Sequence, residues 1–137
     1  MAPYMKSLLL VAAIVVAMSE GGEAWKIRFA PLTVQIQNGL SQNQDLTLHC
    51  KSKDDDLGEH TLQNKATYEF KFWPRFFVRT TLFFCSFRWP SDTSLHYFDI
   101  YVEDRDWGCD PCTWNIEESG PCQNKCFPWN SPSPKSQ

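Results

Sequence analysis

The stretch Leu32-Thr-Val-Gln-Ile-Gln37 alternates apolar and polar side chains, which is the pattern of a β-strand with one buried face. Asn38-Gly39 follows it directly, and this pair is typical of a tight turn between strands. Comparable short apolar stretches recur at 45–50, 66–72, 79–87, 95–102 and 112–116. The sequence therefore predicts strand after strand, with polar turns between them.

These stretches also predict which side chains face inward. Stretch 66–72 places Phe70 inside and Glu69 outside, and stretch 95–102 points its even-numbered side chains, from His96 to Val102, to one face. Stretch 79–87 is apolar on both faces over its middle, which favours a central strand. Stretch 25–29 adds a possible first strand. We expect an all-β fold without an amphipathic helix: a small antiparallel β-sandwich of six to eight strands.

The composition agrees with one small globular domain. The chain has 137 residues, a formal net charge of −3, ten Phe and six Trp. Mild acidity argues against nucleic acid as a partner and against broad attachment to anionic membranes. The aromatic side chains are large and flat, and they fill the thin core between two sheets well.

The first 24 residues have the features of a secretory signal peptide. Lys6 precedes an apolar run from 7 to 18, and small residues at Gly22 and Ala24 suit cleavage after Ala24. The apolar run is shorter than the roughly 20 residues that span a bilayer. We expect a secreted, extracellular protein with a domain at 25–130 and a disordered tail at 131–137, where apolar anchors are absent from the sequence.

All six cysteines follow the signal segment, and an even number in a small exported domain predicts a disulfide framework. Two alternatives remain: a four-thiolate zinc site, or a redox role for the first Cys-x-x-Cys pair. Sequence alone leaves the pairing open. The cysteines are Cys50, Cys85, Cys109, Cys112, Cys122 and Cys126.

Two charged loops are the candidates for binding a partner. The first, residues 51–60, contains Asp54, Asp55 and Asp56; these carboxylates could bind calcium, but their spacing does not match an EF-hand loop, and capping of a tight turn is the simpler interpretation. The second follows the 95–102 strand and is either a polar turn or part of a partner surface; it consists of Glu103, Asp104, Arg105 and Asp106. Stretch 73–77 carries three aromatics, which we interpret as core cover.

A catalytic centre is not indicated by the sequence. The three histidines, His49, His60 and His96, lie outside recognisable nucleophile or metal motifs, and a glycine-rich phosphate loop is missing from the sequence. We therefore expect a protein that is not an enzyme and that needs no cofactor or metal.

Several of these stretches together resemble the plant self-incompatibility S-protein family, also called S-protein homologues. The resemblance runs in family order over about residues 32–130, and its most specific block is Leu48-His-Cys-Lys-Ser-Lys-Asp-Asp-Asp-Leu-Gly58. Other matching blocks are Thr81-Leu-Phe-Phe-Cys-Ser-Phe-Arg-Trp89, Cys112-Thr-Trp-Asn-Ile116 and Cys126-Phe-Pro-Trp-Asn130. The chain is thereby identified as a member of that family.

The resemblance implies a small secreted β-sandwich that acts as a ligand in cell–cell signalling, with plant reproduction as the best-understood setting. We expect a monomer without stable membrane insertion that binds a cell-surface protein receptor through the two charged loops. The alternative is a secreted defence or effector-like protein that acts on a foreign cell without a dedicated receptor. Tissue of expression, rather than sequence, separates the two.

The resemblance also implies a disulfide pairing and reveals a departure from the family pattern. It implies Cys50–Cys126 and Cys85–Cys112, which leaves Cys109–Cys122. Family members usually carry a longer segment before the final Cys-x-Pro-Trp block, whereas only residues 123–125 separate Cys122 from Cys126 here. That short link puts both the last strand and the reach of Cys126 towards Cys50 in question.

Overall fold

A computed structural model describes residues 31–73 and 81–131 of the chain. The predicted signal segment, the possible strand at 25–29, most of the aromatic stretch 73–77 and the tail beyond residue 131 lie outside the described residues. Within the described ranges, no helix is long and apolar enough to cross a membrane.

The described residues form eight strands and one short helix. Their order is β1 (Leu32–Asn38), β2 (Leu46–Lys51), β3 (Asp56–Leu62), β4 (Thr67–Phe72), β5 (Leu82–Trp89), β6 (Asp92–Val102), α1 (Glu103–Asp106), β7 (Cys112–Glu117) and β8 (Gly120–Cys122). Six of these strands coincide with the stretches that the sequence predicts, to within a few residues at each end.

The strands form two four-stranded sheets, which confirms the predicted β-sandwich. Sheet A has the order β4-β1-β7-β8, and sheet B has the order β3-β2-β5-β6. All pairings between named strands are antiparallel except β1 with β7, which run parallel. Strand β1, where the described residues begin, therefore lies beside β7, the last long strand.

The core lies between the two sheets and is filled from both. Val34, Ile36 and Trp114 from sheet A are fully buried, as are Leu46 and Phe87 from sheet B. The alternation predicted for residues 32–37 is followed residue by residue, because every apolar side chain there is buried and every polar one is partly exposed. Asn38, the last residue of β1, is polar but buried. Each buried large apolar side chain contributes about 1.5–3 kcal/mol relative to an exposed one.

Both open sides of the sandwich are closed by side chains. On one side, His60 of β3 stacks on Tyr68 of β4 with ring centroids 4.3 Å apart. On the other side, residues 126–130 cross from the edge of sheet A to the edge of sheet B, and we call this segment the C-terminal strap. Trp129 Nε1 donates to the carbonyl of Glu118 beyond β7, and Asn130 N donates to the carbonyl of Tyr97 in β6.

Two parts of the fold differ from the sequence prediction. Residues 56–62, most of them within the predicted acidic loop, form edge strand β3. In β6, residue pairing shifts so that Phe83 lies opposite Tyr101 while Phe84 lies opposite Asp99. This bulge at Ile100 turns Tyr101 into the core as well, and it ends the predicted alternation before Val102.

The disulfides correct the pairing that the family resemblance implies. The structure joins Cys50 to Cys85, Cys109 to Cys112 and Cys122 to Cys126. Cys50 and Cys85 lie directly opposite each other in neighbouring strands, with Cα atoms 4.0 Å apart. The three-residue link keeps Cys126 beside Cys122, with Cα atoms 3.9 Å apart, instead of carrying it to Cys50.

Candidate functional site

The first charged loop forms a tight turn between β2 and β3. Ser52 N donates to the carbonyl of Asp55 at 2.7 Å, and Asp55 N donates to the Ser52 hydroxyl oxygen at 3.0 Å. These two reciprocal bonds, one between backbone atoms and one to the Ser52 hydroxyl, hold the turn. Asp54 and Asp55 are exposed, so their carboxylates point outward from a fixed turn.

Asp56 plays a different part from its two neighbours. Its Oδ1 accepts from Gly58 N at 2.9 Å and lies 2.5 Å from His49 Nε2 on the adjacent strand. The hydrogen bond with His49, followed by the one from Gly58, holds the pKa of Asp56 below its ordinary value. Gly58 has φ +80°, a conformation that glycine adopts without steric cost. Asp56 therefore shapes the start of β3.

The second charged loop is the four-residue helix α1, whose side chains differ in how far they are buried. Glu103 and Asp106 are only 1% and 6% exposed, whereas Asp104 is exposed. Asp106 Oδ2 accepts from the backbone N of Val102 at 2.8 Å, which ties the helix to the end of β6. Among the predicted partner-binding residues of this loop, Asp104 is thus the acidic side chain that reaches solvent.

Arg105 anchors α1 on the sandwich. Its guanidinium donates to both carboxylate oxygens of Asp106, at 2.9 Å and 2.7 Å, and to the carbonyl of Asp99 at 2.7 Å. The same group lies over three aromatic rings at 5.0–5.8 Å from their centroids, namely Phe98 of β6, Trp114 of β7 and Phe127 of the strap. Sequence reasoning missed this role because the contacts join four separate segments.

The two charged loops lie at the same end of sheet B. Lys51, at the end of β2, is opposite Phe84 in β5, and Phe84 is opposite Asp99 in β6. Because neighbouring strands are about 4.8 Å apart, Lys51 and Asp99 are separated by about 10 Å across the sheet, and β6 continues from Asp99 to its end at Val102 in the direction in which β2 ends. The fold thus brings Asp54, Asp55 and Asp104 to one end of the molecule.

The histidines and cysteines have packing partners. His96 stacks on Trp89 with ring centroids 4.6 Å apart, and its Nε2 lies 2.9 Å from Asp92 Oδ2. The cysteines of the alternative zinc site are joined as two separate disulfides. Glu117 has a carboxylate oxygen near the Cys122–Cys126 sulfurs, within 4.8 Å, but both of those sulfurs are committed to their bond.

The fold and this end of the sandwich define a class: small β-sandwiches, held by disulfides, that present short charged loops. A family model described as "Plant self-incompatibility protein S1" matches residues 33–131. The chain belongs to this family, as the resemblance in the sequence implies, and the family is not one of known enzymes.

Curated relatives agree with the family assignment. "S-protein homolog 2" of Arabidopsis thaliana is 46% identical over 112 residues, covering 72% of this chain and 68% of the relative. "S-protein homolog 5" of the same plant is 49% identical over 102 residues, covering 71% and 77%. "S-protein homolog 18" is 36% identical over 136 residues, covering 91% of each chain. No solved structure matches the chain.

Proposed function

We propose that this protein is an extracellular recognition ligand that acts by binding a cell-surface protein and not by catalysis. The observation that carries the proposal is that both charged loops lie at one end of a rigid sandwich. Asp54, Asp55 and Asp104 are exposed acidic groups there, and we assign them to direct contact with the partner. Asp56 is exposed as well, but its carboxylate is paired with His49.

The remaining residues of the two loops support those contacts. Asp56 holds the turn, and the paired side chains of Arg105 and Asp106 hold the helix in place. Glu103 is buried and does not reach a partner. A partner therefore meets carboxylates whose backbone is already fixed, and binding costs little conformational entropy. Charged groups at such a surface contribute mainly to partner choice and association rate.

Export of the protein rests on its first 24 residues. A charged start, a short apolar run and small residues before Trp25 are what signal peptidase requires. We expect secreted protein to begin at Trp25, and N-terminal sequencing of material from the medium checks this. Secreted protein that still carries Met1 contradicts the proposal.

Binding to cells tests the proposed contact surface. Purified labelled protein is titrated onto intact plant cells, and saturable binding is compared between the wild type and a triple variant with Asp54→Ala, Asp55→Ala and Asp104→Ala. We expect the triple variant to bind at least about tenfold more weakly, which corresponds to about 1.4 kcal/mol.

Asp45→Ala is the matched control, because Asp45 is an exposed carboxylate just before β2, at the opposite end of that strand. This variant should bind like the wild type. If the triple variant loses its circular dichroism spectrum, the aspartates are structural and the assignment is wrong. If the triple variant and Asp45→Ala weaken binding equally, general charge and not this surface governs binding.

A further inference from the structure

We propose that the outer face of sheet A binds polyhydroxylated chains, that is, neutral oligosaccharides. This face is formed by strands β1, β4 and β7 and lies away from the hydrophobic core. Its chemistry is distinct from that of the two charged loops, and the proposal does not depend on them. It assigns a second binding surface to the same small domain.

A ladder of side-chain hydrogen bonds crosses three strands of this face. The hydroxyl of Thr113 in β7 donates to Gln35 Oε1 in β1 at 3.0 Å. Gln35 Nε2 then donates to Glu69 Oε1 in β4 at 2.9 Å. These three residues also lie opposite one another in the strand register, so the ladder follows the sheet's own geometry.

The ladder fixes groups that suit sugar hydroxyls. A primary amide has two N–H donors and an oxygen that accepts twice, so the bonds to Thr113 and Glu69 use half of the capacity of Gln35. The second donor and the second acceptor position remain for a ligand group that both donates and accepts, as a hydroxyl does. Because the amide is already held by two neighbours, binding immobilises few side-chain torsions.

Trp73 adds an aromatic surface to the same face. It continues the outward alternation of β4 after Glu69 and Lys71, and at 60% exposed it is the most exposed large hydrophobic side chain of the described residues. The inward neighbour, Phe72, packs on Phe83 and Tyr101 instead. Trp73 lies four residues beyond Glu69, about 13 Å along an extended strand, so it is placed to contact a different ring of the same sugar chain from the one at the ladder. Its exposed indole offers a flat apolar surface to the C–H face of that ring.

The composition of the face favours this ligand over other classes. A protein partner needs an apolar centre, and a nucleic acid needs clustered cations. The outward side chains of the three strands provide neither, because most of them carry amides or hydroxyls. They are Thr33, Gln35, Gln37, Thr67, Glu69, Lys71, Thr113, Asn115 and Glu117.

The outer face of sheet B provides the contrast. It carries the Arg88–Glu59 ion pair at 3.3 Å and the His49–Asp56 pair, together with exposed Leu95 and Tyr97. It also contains a hydroxyl pair, Thr47 with Thr61 at 3.1 Å, that resembles a single step of the sheet A ladder. That pair supplies a matched control on the same molecule.

Affinity electrophoresis in gels that contain a neutral polysaccharide tests the proposal. The probes are hydroxyethyl cellulose, xylan and galactomannan, with polygalacturonate as an anionic comparison. We expect the full secreted chain to be retarded by at least one neutral probe. Gln35→Leu and Trp73→Ala should each weaken that retardation about tenfold, as expected when one or two hydrogen bonds or a ring contact are lost.

Thr47→Val should leave the retardation unchanged, and Trp73→Phe should retain part of it because a ring remains. Unchanged thermal unfolding of each variant shows that the comparison is between folded proteins. The proposal is overturned if the wild type passes through all neutral gels unretarded, or if Gln35→Leu and Trp73→Ala migrate like the wild type. Retardation by polygalacturonate alone, abolished by salt, also overturns it, since that result indicates charge.

Discussion

Arg105 connects the charged helix to the hydrophobic core. Its partner Asp106 has a side chain that is 4% exposed, whereas the side chain of Arg105 is 27% exposed. Its guanidinium lies over the rings of Trp114 and Phe127, while its N–H groups donate to Asp106 and to the carbonyl of Asp99. Arg105, which the sequence alone suggests as a partner contact, therefore also stabilises the fold.

Replacing Arg105 tests that structural part. Arg105→Ala leaves the buried carboxylate of Asp106 without its counter-ion and should lower the free energy of unfolding by about 3 kcal/mol. Arg105→Lys keeps the charge but cannot donate to both carboxylate oxygens while lying flat on the rings, so it should recover only part of the loss. Urea unfolding measures both variants. If Arg105→Ala is as stable as the wild type, the contacts of Arg105 with Asp106 and with the aromatic rings contribute nothing to the free energy of unfolding.

Glu118 links the loop after β1 to the turn after β7 and makes stability depend on pH. Ser41 donates to its carboxylate from the hydroxyl at 2.5 Å and from the backbone N at 3.1 Å. The hydroxyl bond, chiefly, lowers the pKa of Glu118 from its ordinary value of 4.5. As the pH falls, the unfolded chain therefore takes up this proton first, and the stabilisation is lost as the pH passes through the folded value.

Glu118→Gln should therefore reduce the free energy of unfolding at pH 7 and flatten its decline below about pH 4.5. Urea unfolding of both proteins at several pH values between 7 and 3 measures the difference. It should shrink steadily as the medium becomes more acidic. A constant difference at every pH would mean that the Ser41 contacts do not depend on the charge of Glu118.

At the scale of the elements, strands with one buried face are predictable and edge features are not. The alternation in β1 and β2 is strict because each strand packs one face on the core. In strand β3 every residue before Leu62 is exposed or only partly buried, on both faces, so its composition resembles that of a loop. It is a strand because it pairs with β2, where Thr61 lies opposite Thr47, and this pairing is not visible in its own sequence pattern.

The bulge in β6 shows a second limit of sequence patterns. Ile100 and Tyr101 are both completely buried, which a strict alternation forbids. The extra residue lets the aromatic ring of Tyr101 pack against Phe72 of the other sheet. A pattern of one strand carries no information about its partner's register, so this shift becomes visible only in the paired sheet.

The C-terminal strap should behave as a stabilising element and not as a loose end. Trp129 contacts the rings of Phe87, Trp89 and His96 at 5.2–6.0 Å between centroids, and its indole N–H is bonded to Glu118. Because Trp129 is only partly buried, Trp129→Ala should cost about 2–3 kcal/mol, less than a fully buried tryptophan.

Trp73→Ala is the matched control for the strap, since it removes the same side chain from an exposed position. This variant should change the free energy of unfolding by less than about 1 kcal/mol. Chemical denaturation, followed by circular dichroism, compares the two. Equal losses in both variants would contradict the claim that the strap closes the sandwich.

At the scale of the whole molecule, one disulfide closes a long loop of the chain and the other two close short loops. Cys50–Cys85 spans 35 residues and joins the two central strands of sheet B, whereas the other two span 3 and 4 residues. Family resemblance identifies the fold correctly but not this pairing, because a three-residue link fixes where Cys126 can reach. The short spacing between Cys122 and Cys126 in this chain therefore decides which cysteine Cys126 pairs with.

Peptide mapping of non-reduced protein should recover Cys50 with Cys85 in one disulfide-linked pair of fragments. In the chain-entropy view, the longer loop stabilises more: replacing Cys50 and Cys85 by alanine should cost about 4 kcal/mol, and replacing Cys109 and Cys112 about 2 kcal/mol. Denaturant unfolding of the two double variants measures this. Recovery of Cys50 linked to Cys126 would restore the pairing that the resemblance implies and refute the one described above.

The central claim is that the end of the sandwich carrying Asp54 and Asp104 meets a cell-surface partner. Site-specific photo-crosslinking on intact plant cells tests it most directly, with the photoreactive group placed in turn at positions 54, 104 and 45. We expect the same surface protein to be captured from positions 54 and 104, and little from position 45 at the opposite end of β2. Equal capture from all three positions, or capture from position 45 alone, would contradict the claim.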